Sequence, residues 1–449
     1  MNALRGLFLL LLVPMLAHAA DRPNLIIMMT DDQRQDAMSC AGHAVLKTPN
    51  MDRIANEGAR FKHMFVTNSL CAPSRATLMT GLYSHSHGVI DNTGLTVPMS
   101  IPFVSDHLRK AGYEVAFCGK SHAKGAYRDR EWDYYFGFQG QGNYFKASIA
   151  EGAKSKDQPY TGWMDDIVTD KAVEWLQKKR EKPFCLFLFF KAPHRSWNPP
   201  TRHKDLYSDV TIPKPNTFND DRAKKSMAFA KADNIIGKFP DVKDYESFAR
   251  DYFRCITGVD DNVGKVLDAL TASKTLDDTA IFYTSDNGFF VGEWQAFDKR
   301  FMHEVSARVP LLVRYPKMVK AGSQPAEMAT NVDIAPTLLS LAGLPIPAEM
   351  QGRSLVPVLK GEASDWRKDW LYEYYEYPGP HSVRKHRGVR TDQYKLIHYY
   401  DSPEEFELYD LKADPDERVN LAAQPEQAAR IKELLARIEV LRRETKDAK

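Results

Sequence analysis

Cysteine is scarce in this chain, with five in 449 residues, and no CxxC pair or Cys/His zinc spacing occurs among them. That excludes a disulfide-framework protein and a zinc-ribbon type of fold. Net charge is nearly absent too: 61 basic residues against 59 acidic leave +2. Nothing in that balance points to nucleic acid or an anionic membrane surface as a partner. An anionic substrate must therefore be held by a local cluster of basic groups. Internal repeats and low-complexity segments are missing as well, which excludes solenoids and tail-like proteins. Long apolar runs are confined to the N-terminus. What remains is an ordinary globular composition, 43% hydrophobic and 27% charged, long enough for one large domain and a smaller one.

The one long apolar run reads as an export signal. Arg5 precedes Leu7 to Leu16, and Ala17-His18-Ala19 has the small-residue form of a cleavage site. The run is too short to span a bilayer. Residues 1–20 are expected to be a signal peptide, the mature chain to lack a membrane span, and the protein to be periplasmic or secreted. In an oxidising compartment, five cysteines leave at least one unpaired. Cys118 and Cys185 lie in apolar strand-like runs and read as buried thiols.

The most informative stretch is Cys71-Ala-Pro-Ser-Arg-Ala-Thr-Leu-Met-Thr-Gly81. Pro73 suits a first helical position, and Gly81 is a natural left-handed terminator. Cys71 is thus expected just ahead of a helix N-terminus, where free N–H groups and Arg75 favour an anion. A cysteine in that setting reads as reactive; a buried structural thiol or half of a disulfide is the other reading.

Buried strands are expected at Asn24–Met29, Tyr113–Cys118, Phe184–Phe190, Thr279–Thr284 and Val309–Arg314, as near-continuous apolar runs. Four of them end in polar groups: Asp31-Asp32, Lys120 with His122, His194, and Asp286-Asn287. In open α/β sheets ligands bind outside the carboxyl ends of the strands, so these endings are expected to converge. Asp31, Asp32, Asp286 and the amide oxygen of Asn287 form an all-oxygen set suited to a hard cation, Ca²⁺ or Mg²⁺. Arg75, Lys120, His122, His194 and Lys299 are the types that grip a tetrahedral anion and move protons, although Lys299 on its own reads as a surface lysine. The helical stripe Tyr252 to Leu270 reads as core, with Asp260 and Asp261 solvated. After residue 355 the pattern changes to short antiparallel strands and a terminal helix opened by Pro425.

Cys71-Ala-Pro-Ser-Arg75 followed by Met79-Thr-Gly81 resembles the signature of type I, formylglycine-dependent sulfatases. The resemblance extends, in order, to Asp31-Asp32, Gly119–His122, His194, Ser285–Gly288 and Asp298–Arg300. It implies an alkaline-phosphatase-like α/β fold: a large mixed, mostly parallel sheet flanked by helices (residues 21–355), with a C-terminal α+β subdomain (356–449) completing the substrate pocket. It also implies Ca²⁺ on Asp31, Asp32, Asp286, Asn287 and residue 71. Cys71 would be oxidised to formylglycine by a formylglycine-generating or anaerobic sulfatase-maturating enzyme. Ser121, Trp294 and His303 depart from the usual pattern and bear on the pocket's shape.

By the same resemblance, a hydrated formylglycine attacks the sulfur of a sulfate ester while Lys120 and Lys299 hold its oxygens. His194, helped by Lys299, protonates the leaving alcohol. His122 deprotonates the second hydroxyl to expel sulfate, and Arg75 orients the diol. The run Tyr372–Tyr400 is similar to that of N-acetylglucosamine-6-sulfatases and mucin-desulfating enzymes, which makes a sulfated carbohydrate the expected substrate. His381, Arg384 and His386 are candidates to line a sugar pocket, or else belong to a hairpin packed on the main domain. Two alternatives stand beside this reading: a phosphoester or phosphonate hydrolase of the same superfamily, and a non-catalytic sulfated-glycan binder if Cys71 stays unmodified. Peptide mass spectrometry is expected to find aldehyde in place of the thiol at position 71 in active protein; an intact thiol there would refute the modification.

Overall fold

The computed structural model describes residues 22–94, 96–122 and 125–447. The expected signal peptide lies outside the described residues. Among those described, no helix is long and apolar enough to cross a membrane.

Five parallel strands form the centre of a nine-stranded sheet, in the order Thr279–Ser285, Asn24–Thr30, Phe184–Phe189, Glu114–His122 and Tyr134–Gln139. Antiparallel strands close both edges. Leu311–Arg314 and Ala59–Arg60 lie on one side, and Ala147–Glu151 and Gln158–Tyr160 on the other.

The continuous apolar runs follow from burial on both faces. Along the central strands, Ile26, Met28, Leu186, Leu188 and Ile281 point into one core, and Leu25, Ile27, Met29, Phe187 and Phe282 into the other. Side chains alternate with period two, so a strand covered on both faces must be apolar at every position. The first core packs against the helices Pro49–Asn56, Met164–Leu176 and Tyr245–Ala272. The second packs against Cys71–Thr80, Val104–Lys110 and Ile334–Leu341.

A second sheet of four antiparallel strands, Asp369–Tyr374, His386–Thr391, Tyr394–Tyr399 and Glu405–Asp410, follows in simple sequential order. One face sits on the main body through Trp370, Tyr372, Tyr374 and Tyr399, which join Phe65, Leu70 and Phe301. The other is covered by the helix Ala428–Glu444 through Leu434, Ile438 and Leu441. The short helix Val356–Lys360 still belongs to the main core, since Val358 and Leu359 pack there.

Three expectations need correction. Asp260 is not solvated: it is 1% exposed, and its carboxylate accepts the N–H groups of Asn50 (3.1 Å) and Met51 (2.8 Å). It thereby supplies, from a distant helix, the cap that Thr48 fails to give the helix Pro49–Asn56. Asp261 stays near the surface but is paired with Arg202 and His203. Trp294 and His303 pack with Phe229 and Phe290 in a buried aromatic cluster, so they shape packing.

Asp260→Ala is expected to lower unfolding free energy by about 1–2 kcal/mol, the cost of a lost helix cap. Denaturant titration measures this, and turnover per folded molecule should be unchanged.

Candidate active site

The four polar strand ends meet at the carboxyl edge of the parallel strands. The chain enters from Thr30 into Asp31-Asp32, where the Asp31 N–H donates to Ala192 O (3.1 Å) and the Asp32 N–H to Asp286 Oδ1 (3.1 Å). Those two bonds stitch the ends of three neighbouring strands together. Side-chain oxygens of Asp31, Asp32 and Asp286 and the Cys71 sulfur lie within 4.8 Å of one another. All four residues are fully buried.

Such a cluster of carboxylates is electrostatically unstable on its own. Burial, with Asp31 and Asp286 nearby, pushes the Asp32 carboxyl up to about 7 despite Lys299. Burial and Asp31 raise Asp286 as well. At Asp31 burial also acts upward, but Lys120, His194, Arg75 and Lys299 outweigh it and hold the carboxyl well below its usual range. Two oxygens in the cluster, Asp32 Oδ2 and Asn287 Oδ1, are buried without a hydrogen-bond partner. Unsatisfied oxygens beside crowded carboxylates fit a hard divalent cation, Ca²⁺ or Mg²⁺, far better than zinc.

Cations of the chain ring this cluster. Arg75 is 1% exposed; its Nε donates to Asp286 Oδ2 (2.8 Å), Nη1 to Lys120 O (2.7 Å), and Nη2 lies 3.2 Å from Asp31. Lys120 bonds Asp31 through its ammonium, and Lys299 bonds Asp32. Lys299 also donates to Cys71 Sγ at 3.0 Å. At 2% exposure it is no surface lysine.

Cys71 itself differs from expectation in two respects. It is the first residue of the helix Cys71–Thr80, and Pro73 is the third, as the Ser74 N–H already bonds Leu70 O. The thiol is not activated, because burial and Asp31 push it far up, against Lys299. Arg75 is committed to Asp286 and Asp31, so its charge does not reach the sulfur uncompensated. Thiolate chemistry is therefore disfavoured at this position.

The two histidines sit at the outer side. His194 Nε2 lies 3.9 Å from Asp32 Oδ2, and its Nδ1 donates to Arg195 O. His122 has a buried Nδ1 with no partner. Burial, followed by Lys120, holds both imidazoles well below their usual pKa.

The backbone here is held in unfavourable conformations. Asp32 (φ 74), His122 (φ 61), Asp298 (φ 81) and Arg300 (φ 88) all occupy the left-handed region. Each costs on the order of 1–3 kcal/mol, sustained by the surrounding structure. Gly119 (φ +112) is demanded by both conformation and space: a Cβ there would lie 1.9 Å from Phe189 O.

Of the expected sugar contacts, His381 stands beside Asp298, the residue before Lys299. Its Nε2 is 3.8 Å from Asp298 Oδ1, and its Nδ1 bonds Asp233 Oδ1 at 2.9 Å. The other two belong to the sheet. Arg384 is used by Glu405 and the carbonyls of Asp401 and Pro403. His386 is 0% exposed among Tyr372, Tyr374 and Tyr399, where no sugar can touch it. Asp298 and Arg300 flank Lys299 in the segment that carries the family resemblance. Arg300 Nε lies 3.0 Å from Asp298, and Arg300 Nη1 bonds Glu376. Asp298 Oδ2 and Arg300 Nε thus satisfy each other in a buried ion pair beside Lys299.

A buried acidic cluster faced by fixed cations at the end of a parallel sheet defines a hydrolase for esters of a small tetrahedral anion. The comparisons specify which. A family model described as Sulfatase matches residues 23–344, and one described as N-sulphoglucosamine sulphohydrolase, C-terminal, matches 292–444. The chain belongs to the sulfatase family and is a sulfuric ester hydrolase with the alkaline-phosphatase-like fold. It is similar to an N-acetylglucosamine-6-O-sulfatase of Bacteroides thetaiotaomicron, at 38% identity over 95% of this chain and 87% of the relative. An N-acetylglucosamine-6-sulfatase of Homo sapiens is 27% identical over 89% of this chain and 81% of its own length. A solved structure of a complex with its substrate D-glucosamine-2-N,6-O-disulfate matches with a TM-score of 0.89 and 38% identity, covering 95% of this chain and 99% of that one.

Stripping divalent cations is expected to lower the unfolding midpoint, and Ca²⁺ at a hundred times its Kd to restore about 2.7 kcal/mol. The gain should vanish in Asp286→Asn. A calorimetric scan indifferent to Ca²⁺ and Mg²⁺ alike would count against the cation site.

Proposed function

We propose that this protein removes sulfate from 6-O-sulfated N-acetylglucosamine in a glycosaminoglycan or mucin glycan, outside the cytoplasm. The observation that carries the reading is the convergence of cationic donors, unsatisfied oxygens and Cys71 at one buried point. The relatives named for N-acetylglucosamine 6-sulfate, and the neighbour whose substrate carries a 6-O-sulfate, support the sugar and the position.

Asp31, Asp32, Asp286 and Asn287 would hold Ca²⁺, which supplies charge for the sulfate oxygens and lowers the pKa of a hydroxyl on residue 71. Cys71 Sγ stands where the oxygens of formylglycine would be. That modification supplies two hydroxyls on one carbon, one to attack and one to release the product.

The remaining work belongs to side chains of the chain. Lys120, held by Asp31, and Lys299, held by Asp32 and Cys71, would donate N–H groups to sulfate oxygens as charge shifts onto them. Arg75 bonds Asp286 and Asp31 and locks the Lys120 carbonyl, so both the cation ligands and the lysine stay in register. His122, neutral and with a free buried nitrogen, suits proton acceptance from residue 71. His194, with a ring nitrogen within 4.8 Å of Cys71 Sγ and an Asp31 oxygen, would protonate the departing sugar oxygen, and an arriving sulfate monoanion favours its charged form. Asp298, Arg300 and His381 form the wall that would meet the sugar ring, with Glu376 from the C-terminal subdomain anchoring Arg300.

Cys71→Ser is expected to give at most one turnover, leaving a sulfated serine detectable by intact mass, because serine has no second hydroxyl to expel sulfate. Sustained turnover by that variant would overturn the mechanism. Comparison of sulfate and phosphate esters of N-acetylglucosamine tests the reaction class; the sulfate should be preferred.

A further inference from the structure

The loop that follows the strand Tyr134–Gln139 has no role in the chemistry described so far, yet it is fastened to three of its residues. The Gly140 N–H donates to His122 O at 3.1 Å. Lys191 Nζ, 3% exposed and 4.6 Å above the Tyr144 ring, donates to Gln141 O at 3.0 Å. The Tyr144 hydroxyl donates to His194 O at 2.7 Å. Between those anchors stands Gln141, flanked by Gly140 (φ 65) and Gly142 (φ 62). Two left-handed residues in three positions fold the backbone sharply, and only glycine adopts that conformation without cost. The turn presents the Gln141 side chain to the pocket, where Oε1 accepts from Lys120 Nζ at 2.6 Å.

That contact joins an exposed residue to a fully buried ammonium. An ammonium has three N–H groups on a freely rotating bond. Asp31 takes one of those on Lys120 and Gln141 takes a second. With two directions occupied, rotation is blocked and the third N–H has one direction left. From Asp31 alone, the ammonium could swing and spread its remaining donors over many angles.

We infer that Gln141 is a positioning residue for Lys120: its side-chain carbonyl fixes the ammonium so that the remaining N–H is aimed at bound sulfate. The inference rests on the reading of Lys120 as a sulfate-gripping group. The loop's other ties, to His122 and His194, make it a brace across the proton-handling side of the pocket.

The test is a double-mutant cycle on matured, Ca²⁺-loaded protein, with inorganic sulfate as the probe and calorimetry as the readout. Gln141→Ala is expected to weaken sulfate binding about tenfold, as loss of a hydrogen bond to a charged group does. In a Lys120→Ala background the same change should have no further effect. The unfolding midpoint should stay constant, since the side chain is exposed and supports no core. Gln141→Ala protein that binds sulfate as the parent does overturns the inference. So does a loss of equal size with Lys120 already removed, which would mean Gln141 acts on its own. Lys120→Ala protein with undiminished sulfate affinity instead removes the underlying reading, and this one falls with it.

Discussion

Everything near the catalytic edge depends on how three buried carboxylates are kept tolerable to one another. Asp31, Asp32 and Asp286 occupy a volume in which like charges repel strongly and water cannot screen them. The chain answers with Arg75, Lys120 and Lys299, each in direct contact with one or two of the three. Removing one partner of such a set leaves an uncompensated buried charge, more damaging than the pair is stabilising. The same balance explains why the site is pre-shaped for an anion. Three fixed cations already stand around that volume, and Lys299 reaches Cys71 Sγ as well.

Holding that balance requires rigid backbone, and the fold provides it in layers. Strand ends are stitched by main-chain bonds, and Gly119, next to Lys120 in its strand, stands where any Cβ would strike Phe189 O. Residues in left-handed conformations turn side chains inward at Asp32, His122, Asp298 and Arg300. The second sheet contributes from outside. Tyr372 accepts the Ser69 N–H and donates to Arg300 O, so one phenol ties the approach to the Cys71 helix to the pocket wall. Glu376 bonds both Arg300 and the Asn92 N–H, and Asn92 in turn caps the Cys71 helix through the Ala72 N–H. The Asp298–Arg300 segment and the start of the Cys71 helix are thus joined through the C-terminal part of the chain.

Much of this was legible in the residue order. Strand runs, the Cys71–Gly81 helix, the terminal helix with Leu434, Ile438 and Leu441, and the four polar strand ends followed from periodicity and from the rule that α/β sheets bind ligands at their carboxyl edge. Residues whose role depends on a partner far along the chain were not legible. Asp260 looked solvated because its own helix leaves it on a polar flank, yet it caps a helix about two hundred residues earlier. His386 looked like a sugar ligand among aromatics, and those aromatics turned out to enclose it. Gln141 carried no sequence signal, since its usefulness comes from the turn at Gly140 and Gly142 and from the ammonium that faces it.

Residue order, taken alone, settled which groups are chemically able to act: an all-oxygen ligand set, fixed cations, two histidines and a cysteine inside a long signature. Those are properties of side-chain type and local pattern, and no fold is needed to read them. Folding settled what each group is in practice. Cys71 became a thiol pushed away from ionisation by burial and by Asp31, while Arg75 is committed to Asp286 and Asp31. Lys299 became the sulfur's hydrogen-bond donor and lost its surface character. Ionisation, reach and accessibility are set by the distances between groups remote in sequence, and those distances exist only once the sheet has brought the strand ends together.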